Sequence, residues 1–114
     1  MDAEAVRRVA LALPEVEQYD HGGLPAFRVR GKRFASMLDA EGVNLMLDEA
    51  AMAAALALWP DACSARYFAG RLAAVRVSLG SIPDDAVRDL LEDAWARRAP
   101  KRLVDQLATS RRGV

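Results

Sequence analysis

The sequence is poor in cysteine, in histidine and in long apolar runs. Among its 114 residues, Cys63 is the only cysteine and His21 the only histidine. An internal disulfide is therefore excluded, and a cysteine- and histidine-rich metal site lacks its ligands. The longest apolar stretch, residues 50–60, falls well short of the ~20 residues that a membrane-spanning helix needs. The N-terminus also lacks the apolar core of a signal peptide. We expect no membrane contact and a cytoplasmic location.

An excess of charge is missing as well. Sixteen lysines and arginines balance sixteen acidic residues, so no overall field draws the protein to nucleic acid or to a membrane. An electrostatic function would have to come from an uneven distribution of these charges. Hydrophobic residues make up 53% of the chain, which is typical of globular proteins. The length favours one domain covering residues 1–114.

Hydrophobic periodicity predicts an α+β fold. Helical spacing occupies residues 2–13, 48–58, 81–98 and the segment after Pro100, and alternating strand patterns occupy 15–21, 25–30, 33–39, 43–47, 65–69 and 72–79. Short connections favour an antiparallel sheet of about six strands with helices packed on one face, in the order α-β-β-β-β-α-β-β-α-α. We expect Phe27 and Trp95 in the core and Ser81 as the cap of the third helix. The polar strand 15–21 suits a sheet edge and leaves a homodimer open without predicting one.

The first predicted hairpin carries four cations and no carboxylate. Phe27 and Val29 alternate with Arg28 and Arg30, and a type II′ turn at Gly31-Lys32 would place Arg30 opposite Arg33 and Arg28 opposite Ala35. Like charges facing each other across a ladder cost stability. An anionic partner would offset that cost. So would acidic side chains on an adjacent strand, namely Glu15, Glu17 or Asp20.

The second predicted hairpin, joined near Gly70, contains Arg66, Arg71 and Arg76, and no acidic residue occurs between Cys63 and Ile82. Seven of the sixteen cations thus lie in two hairpins without carboxylates. This clustering is typical of a surface that binds nucleic-acid phosphates, and it also occurs in proteins that bind nothing. Tyr67 and Phe68 are adjacent, so one is expected to face the core and the other to face out.

The order of elements and several motifs resemble the MmcQ/YjbR family of small bacterial proteins over about residues 5–104. The motifs are Ala10-Leu-Ala-Leu-Pro-Glu-Val16, His21, Pro25-Ala-Phe-Arg-Val-Arg-Gly-Lys32, Phe34-Ala35, Arg71-Leu-Ala-Ala-Val-Arg-Val77 and Asp93-Ala-Trp-Ala-Arg-Arg-Ala-Pro-Lys-Arg-Leu103.

The resemblance implies a fold similar to the bacterial frataxin homologue and DNA binding through a "double wing" of two β-hairpins. Carried onto this chain, it implies nucleic-acid contacts at Arg28, Arg30, Lys32, Arg33, Arg66, Arg71 and Arg76. Many family members carry tryptophans where Tyr67 and Phe68 stand. The replacement in this chain retains an aromatic role and removes any role that is specific to tryptophan. The acidic ridge that binds iron in frataxins is not matched, because Asp2 and Glu4 are followed by Arg7 and Arg8.

A module that binds a small ligand or a protein is the alternative, with a pocket near His21, Tyr67 and Trp95. No nucleophile motif, metal-ligand spacing or phosphate-binding glycine loop is present. We therefore expect no catalysis, no catalytic residue, no metal and no cofactor. DNA is the expected partner under the first interpretation only.

Overall fold

The computed structural model describes residues 1–113 and has the element order expected from the sequence. Four α-helices and six strands follow one another as α1 Ala3–Ala12, β1 Val16–His21, β2 Leu24–Val29, β3 Lys32–Met37, β4 Gly42–Leu45, α2 Glu49–Leu58, β5 Cys63–Phe68, β6 Arg71–Ser78, α3 Asp84–Arg98 and α4 Lys101–Arg112. No helix in this range is long and apolar enough to cross a lipid bilayer. The predicted α+β class is confirmed.

The six strands form one open antiparallel sheet in the order β1-β2-β3-β4-β6-β5. The strand of residues 16–21 lies at one edge, as its polar pattern predicted, and β5 forms the other edge. The register aligns one apolar row across five strands: Phe27, Ala35, Leu45, Val75 and Ala65. Successive strand residues face opposite sides, so the neighbouring row of Ala26, Ser36, Asn44, Arg76 and Ser64 occupies the other face.

The first four residues of the apolar row and the inner faces of the helices form the hydrophobic core. Phe27 and Trp95 are both fully buried in it, as predicted. The indole Nε1 of Trp95 donates to the backbone oxygen of Pro14 at 3.0 Å, which ties α3 to the segment between α1 and β1. Ala26 is fully buried as well but does not belong to this core cluster. We conclude that the row containing Ala26 lies on the helix-free face of the sheet.

Helix starts follow their sequence signals in one case and not in another. The Asp48 side chain accepts a hydrogen bond from the Ala51 backbone at 2.8 Å and so caps α2. The prediction that Ser81 caps α3 is wrong. Residues 79–81 form a 3₁₀ turn, and α3 begins at Asp84 behind Pro83 without a side-chain cap. The fixed φ of proline orders the chain for the first turn in place of a hydroxyl cap.

Candidate nucleic-acid interface

Both basic hairpins turn at the same end of the sheet. Because every neighbouring pair in the sheet is antiparallel, β2 and β5 run in the same direction. The β2–β3 and β5–β6 turns therefore share one end. Between them, β4 stops at Leu45, which pairs with Ala35 and Val75, so residues 28–33 and 67–72 extend past the last paired residue of β4. The topology thus leaves two hairpin tips beside a shorter strand.

The turn of the first hairpin differs from the predicted one. Arg30 and Gly31, with φ of 51° and 77°, are its central residues, and Val29 pairs with Lys32 while Arg28 pairs with Arg33. Two positive φ values mark a type I′ turn, whose twist matches that of the strands. The predicted pairing of Arg30 with Arg33, and of Arg28 with Ala35, is therefore wrong. A one-residue shift between Phe27 and Arg28 restores the apolar row further along the ladder.

Carboxylates hold two arginines of the first hairpin. The Arg30 guanidinium donates to Glu15 through Nε at 2.6 Å and through Nη2 at 3.1 Å, a bidentate pair. These hydrogen bonds lower the pKa of Glu15 and raise that of Arg30. Arg28 Nε lies 3.6 Å from a Glu17 oxygen, and its guanidinium stacks 4.5 Å from the centre of the Tyr19 ring. The interpretation in which acids of the adjacent strand offset the hairpin charge thus holds for these two residues, although Glu15 lies just before β1.

The other two cations of the first hairpin are less constrained. Arg33 Nη1 lies 2.7 Å from Nε2 of His21, so its neighbour is an imidazole and not a carboxylate. Lys32, at the exposed tip, forms no ion pair with any residue of 1–113. Asp20, the third candidate acid, instead accepts a 3.3 Å hydrogen bond from the Gly23 backbone in the β1–β2 turn.

The second hairpin is open to solvent. Tyr67 is 69% exposed and Phe68 is 78% exposed, so the expectation that one of them faces the core is wrong. The cause is position, because β5 is an edge strand and the tip extends past β4. Arg66 and Arg71 are exposed and lack an acidic partner within 4.0 Å among residues 1–113.

Arg76 resembles the first-hairpin arginines and not its own tip. Its Nη2 lies 3.2 Å from Oδ2 of Asp39, in the β3–β4 loop. The side chain crosses directly over Gly42, where an added Cβ would lie 2.5 Å from Nη2. This arginine covers the sheet and neutralises a loop carboxylate, because the turn brings an acid from a distant part of the sequence next to it.

Of the seven predicted contact residues, Arg30 lies in the turn itself and the other six divide between the two sides of the sheet. Arg28 and Arg33 pair with each other and contact β1 side chains of the helix-free face, and the alternation along β5 and β6 places Arg66 and Arg76 on that face. Lys32 pairs with buried Val29, on the helix side. Arg71 also lies there, beside α3. Arg76 reaches the β3–β4 loop at the opposite end of the sheet. The other cations surround the end with the two hairpin turns and do not form a single flat patch.

The predicted small-ligand pocket does not form. His21 lies on the edge strand β1 and Tyr67 on the opposite edge strand β5, while Trp95 is fully buried between them in the core. The prediction grouped these three residues because each is chemically distinctive, and no sequence pattern indicated that they are close in space. The alternative function therefore loses the site on which it was based.

Two arginines that the sequence analysis did not select lie beside the second hairpin. Arg97 and Arg98, at the C-terminal end of α3, line an open groove of about 470 Å³ together with Phe68 and Arg71. Their position after a helix explains them as partners of the helix dipole. The signal that could have identified them was the pair of adjacent cations followed by a helix break, Arg97-Arg-Ala-Pro100.

The sequence also matches a known family. The family model named YjbR covers residues 11–97, which is most of the chain and includes both hairpins. No curated protein matches the sequence. The chain belongs to the YjbR family.

Proposed function

We propose that this YjbR-family protein is a non-catalytic accessory protein of the cytoplasm that binds nucleic acid through the tips of its two hairpins. The observation that carries the proposal is the second tip, where two highly exposed aromatic rings stand between two arginines. Neither arginine has a carboxylate partner in the part of the chain that the structure describes. Exposed apolar rings cost solvation free energy, and bases can stack on them. We expect the arginines beside them to bind phosphates.

The predicted contact residues differ in whether a carboxylate already neutralises them. Four of the seven predicted contact residues lack a carboxylate partner among residues 1–113: Lys32, Arg33, Arg66 and Arg71. Arg28, Arg30 and Arg76 would first have to release Glu17, Glu15 and Asp39. A phosphate that replaces an existing ion pair adds little free energy, so we expect Arg28 and Arg30 to make weaker contacts. Arg76 reaches the β3–β4 loop, at the end of the sheet away from both tips, and we assign it no contact. The first four supply the phosphate contacts.

The stacking rings favour single-stranded over duplex nucleic acid. Bases in a duplex are already stacked, whereas unpaired bases can lie on Tyr67 and Phe68 at ~1–3 kcal/mol each. Four phosphate contacts on a single strand predict that log K falls with log salt at a slope of about −3.

The test is fluorescence anisotropy with labelled single-stranded and duplex DNA at low and physiological salt. We expect binding of the single strand at low salt, with the stated slope. Arg8→Gln is the matched control, because Arg8 is exposed on α1 and has no ion pair among residues 1–113. Absence of binding to either DNA at low salt contradicts the proposal.

A further inference from the structure

Three arginines converge on the open groove between the second hairpin and the end of α3. Arg71 comes from β6, and Arg97 and Arg98 come from the last turn of α3; Phe68 and Met52 supply apolar walls. We call this site the arginine groove. Glu49 also lines it, but no ion pair links Glu49 to any of the three arginines within 4.0 Å. The wall therefore carries three positive charges against one negative charge.

The Arg98 side chain has an unmet hydrogen bond. Its Nε is buried and has no hydrogen-bond partner in the structure. A buried donor without an acceptor costs about 1–3 kcal/mol, and more when the donor is charged. Burial, and then the like charges of Arg97 and Arg33, lower the pKa of Arg98. An anion beside this guanidinium would offset part of that cost through its charge.

Helix capping does not account for the site by itself. Arginines at a helix C-terminus interact favourably with the helix dipole, and Arg97 and Arg98 are so placed. That interaction leaves the buried Nε of Arg98 without an acceptor, and it does not require Arg71, which belongs to the sheet. The convergence of a strand arginine with the helix pair is an independent feature.

We infer that the arginine groove binds the phosphate of a nucleotide, with the base stacked on Phe68. Three guanidinium groups offer planar, multiple donors that match phosphate oxygens. The Phe68 ring, 78% exposed, borders the same groove. The nucleotide has two sources, a free mononucleotide or one unit of a single strand. The second source rests on the proposed function.

The test uses NMR titration of the arginine Nε–Hε resonances with inorganic phosphate, adenosine monophosphate and a short single-stranded oligothymidylate. We expect a shift of the Arg98 Nε–Hε signal with all three. Arg98→Met keeps the aliphatic packing, and we expect it to weaken phosphate and monophosphate binding by about tenfold. Phe68→Leu should lower the affinity for the monophosphate and leave the affinity for inorganic phosphate unchanged, because phosphate has no base to stack. Arg8→Met is the control and should alter none of them.

The outcomes separate this inference from the proposed function. No shift of the Arg98 signal with any probe at low salt overturns the inference, and so does equal monophosphate affinity in Arg98→Met. Oligonucleotide binding that depends on Arg66 but not on Arg98 supports the proposed function and, if the monophosphate does not depend on Arg98 either, overturns the inference about the arginine groove. Monophosphate binding that depends on Arg98, without oligonucleotide binding, supports the inference about the arginine groove and contradicts the proposed function. If Arg98→Met fails to fold, Arg97→Gln and the wild-type Arg98 signal still decide.

Discussion

The two hairpins have the same backbone geometry but differ in how far their side chains are exposed to solvent. Each turns through two residues of positive φ, Arg30-Gly31 in one and Ala69-Gly70 in the other. Each ladder also shifts by one residue at the same distance from its turn. Yet Val29, just before the first turn, is fully buried, whereas Phe68, at the equivalent place in the second, is 78% exposed.

Neighbouring strands explain the difference. The first hairpin lies next to β1, which supplies Glu17 and Tyr19 to Arg28, while Glu15 just before it binds Arg30. The second hairpin ends in the edge strand β5, which has no strand on its outer side. A hairpin without acidic residues is therefore not a hairpin without acidic neighbours. The location in the sheet decides whether its cations are free to bind an anion.

The largest expected contrast is in stability. Val29→Ala removes two methyl groups from a fully buried site and should lower the free energy of unfolding by about 2 kcal/mol. Phe68→Ala removes a ring that is mostly in water and should change it by no more than about 0.5 kcal/mol. Urea unfolding followed by tryptophan fluorescence measures both.

For DNA affinity, the substitution with the larger effect should be Phe68→Ala and not Val29→Ala. Phe68→Ala should lower the affinity of the protein for single-stranded DNA. Val29→Ala should leave the affinity of the folded fraction unchanged. Equal destabilisation by the two substitutions would show that the tips do not differ in burial as described.

The next contrast concerns charge. Replacing Arg66 and Arg71 by glutamine should lower the affinity for single-stranded DNA by about tenfold at low salt and reduce the salt slope by about 1.4, because two phosphate contacts are lost. The matched double variant Arg28→Gln/Arg30→Gln should change the affinity much less. Arg30 is already hydrogen-bonded to Glu15, and Arg28 lies 3.6 Å from Glu17 and stacks on Tyr19. Anisotropy titrations at several salt concentrations give both quantities.

A larger loss in the first-hairpin variant would invert the assignment of contacts. It would mean that nucleic acid displaces the β1 carboxylates and that the bidentate Arg30–Glu15 pair is an inactive arrangement. Equal losses would instead indicate a diffuse field around this end of the sheet.

The sequence predicted the fold well, because the fold depends on periodicity. Alternation placed the strands within one or two residues of their observed bounds, and the buried row through Phe27 follows from it. The turn register was missed because the local sequence suits two turn types. Gly31 can occupy the first position of a type II′ turn or the second of a type I′ turn. The choice of the latter places Arg30 at positive φ, where its side chain binds Glu15.

The candidate site was only partly predictable, because ion pairs join residues far apart in sequence. Asp39 reaches Arg76 across 37 residues, and no local pattern indicates that contact. Arg97 and Arg98 were recognisable as a helix end but not as neighbours of Arg71. Charge composition identified which hairpins are basic. It could not identify which arginines are free.

A smaller contrast lies in the turns. Asparagine tolerates positive φ better than other residues with a side chain, so Ala69→Asn should raise the free energy of unfolding by about 0.5–1 kcal/mol. Arg30→Asn relieves the same backbone strain but loses the Glu15 pair, so its net gain should be smaller. Thermal unfolding at neutral pH compares the two. A larger gain for Arg30→Asn would indicate that the Glu15 pair contributes nothing.

The smallest contrast is in carboxyl pKa values. The pKa of Glu15 lies below its ordinary value of 4.5, chiefly through the hydrogen bond from Arg30. The pKa of Asp39 is also lowered, but chiefly by the backbone N–H of Glu41, with Arg76 a lesser cause. Arg30→Gln should therefore raise the pKa of Glu15 towards 4.5, whereas Arg76→Gln should leave that of Asp39 low. Carbon-detected NMR titration of the carboxyl groups measures both.

The sign of the linked stability follows from these directions. A carboxyl whose pKa is lower in the folded state stabilises that state fully above its unfolded pKa, and the contribution disappears as pH falls through the folded pKa. The stability difference between wild type and Arg30→Gln should thus be constant above about pH 5 and shrink on acidification. A difference that persists at pH 2 would assign the effect of Arg30 to packing and not to its pair with Glu15. Arg30 would then be as free to bind an anion as Arg66 and Arg71 of the second hairpin.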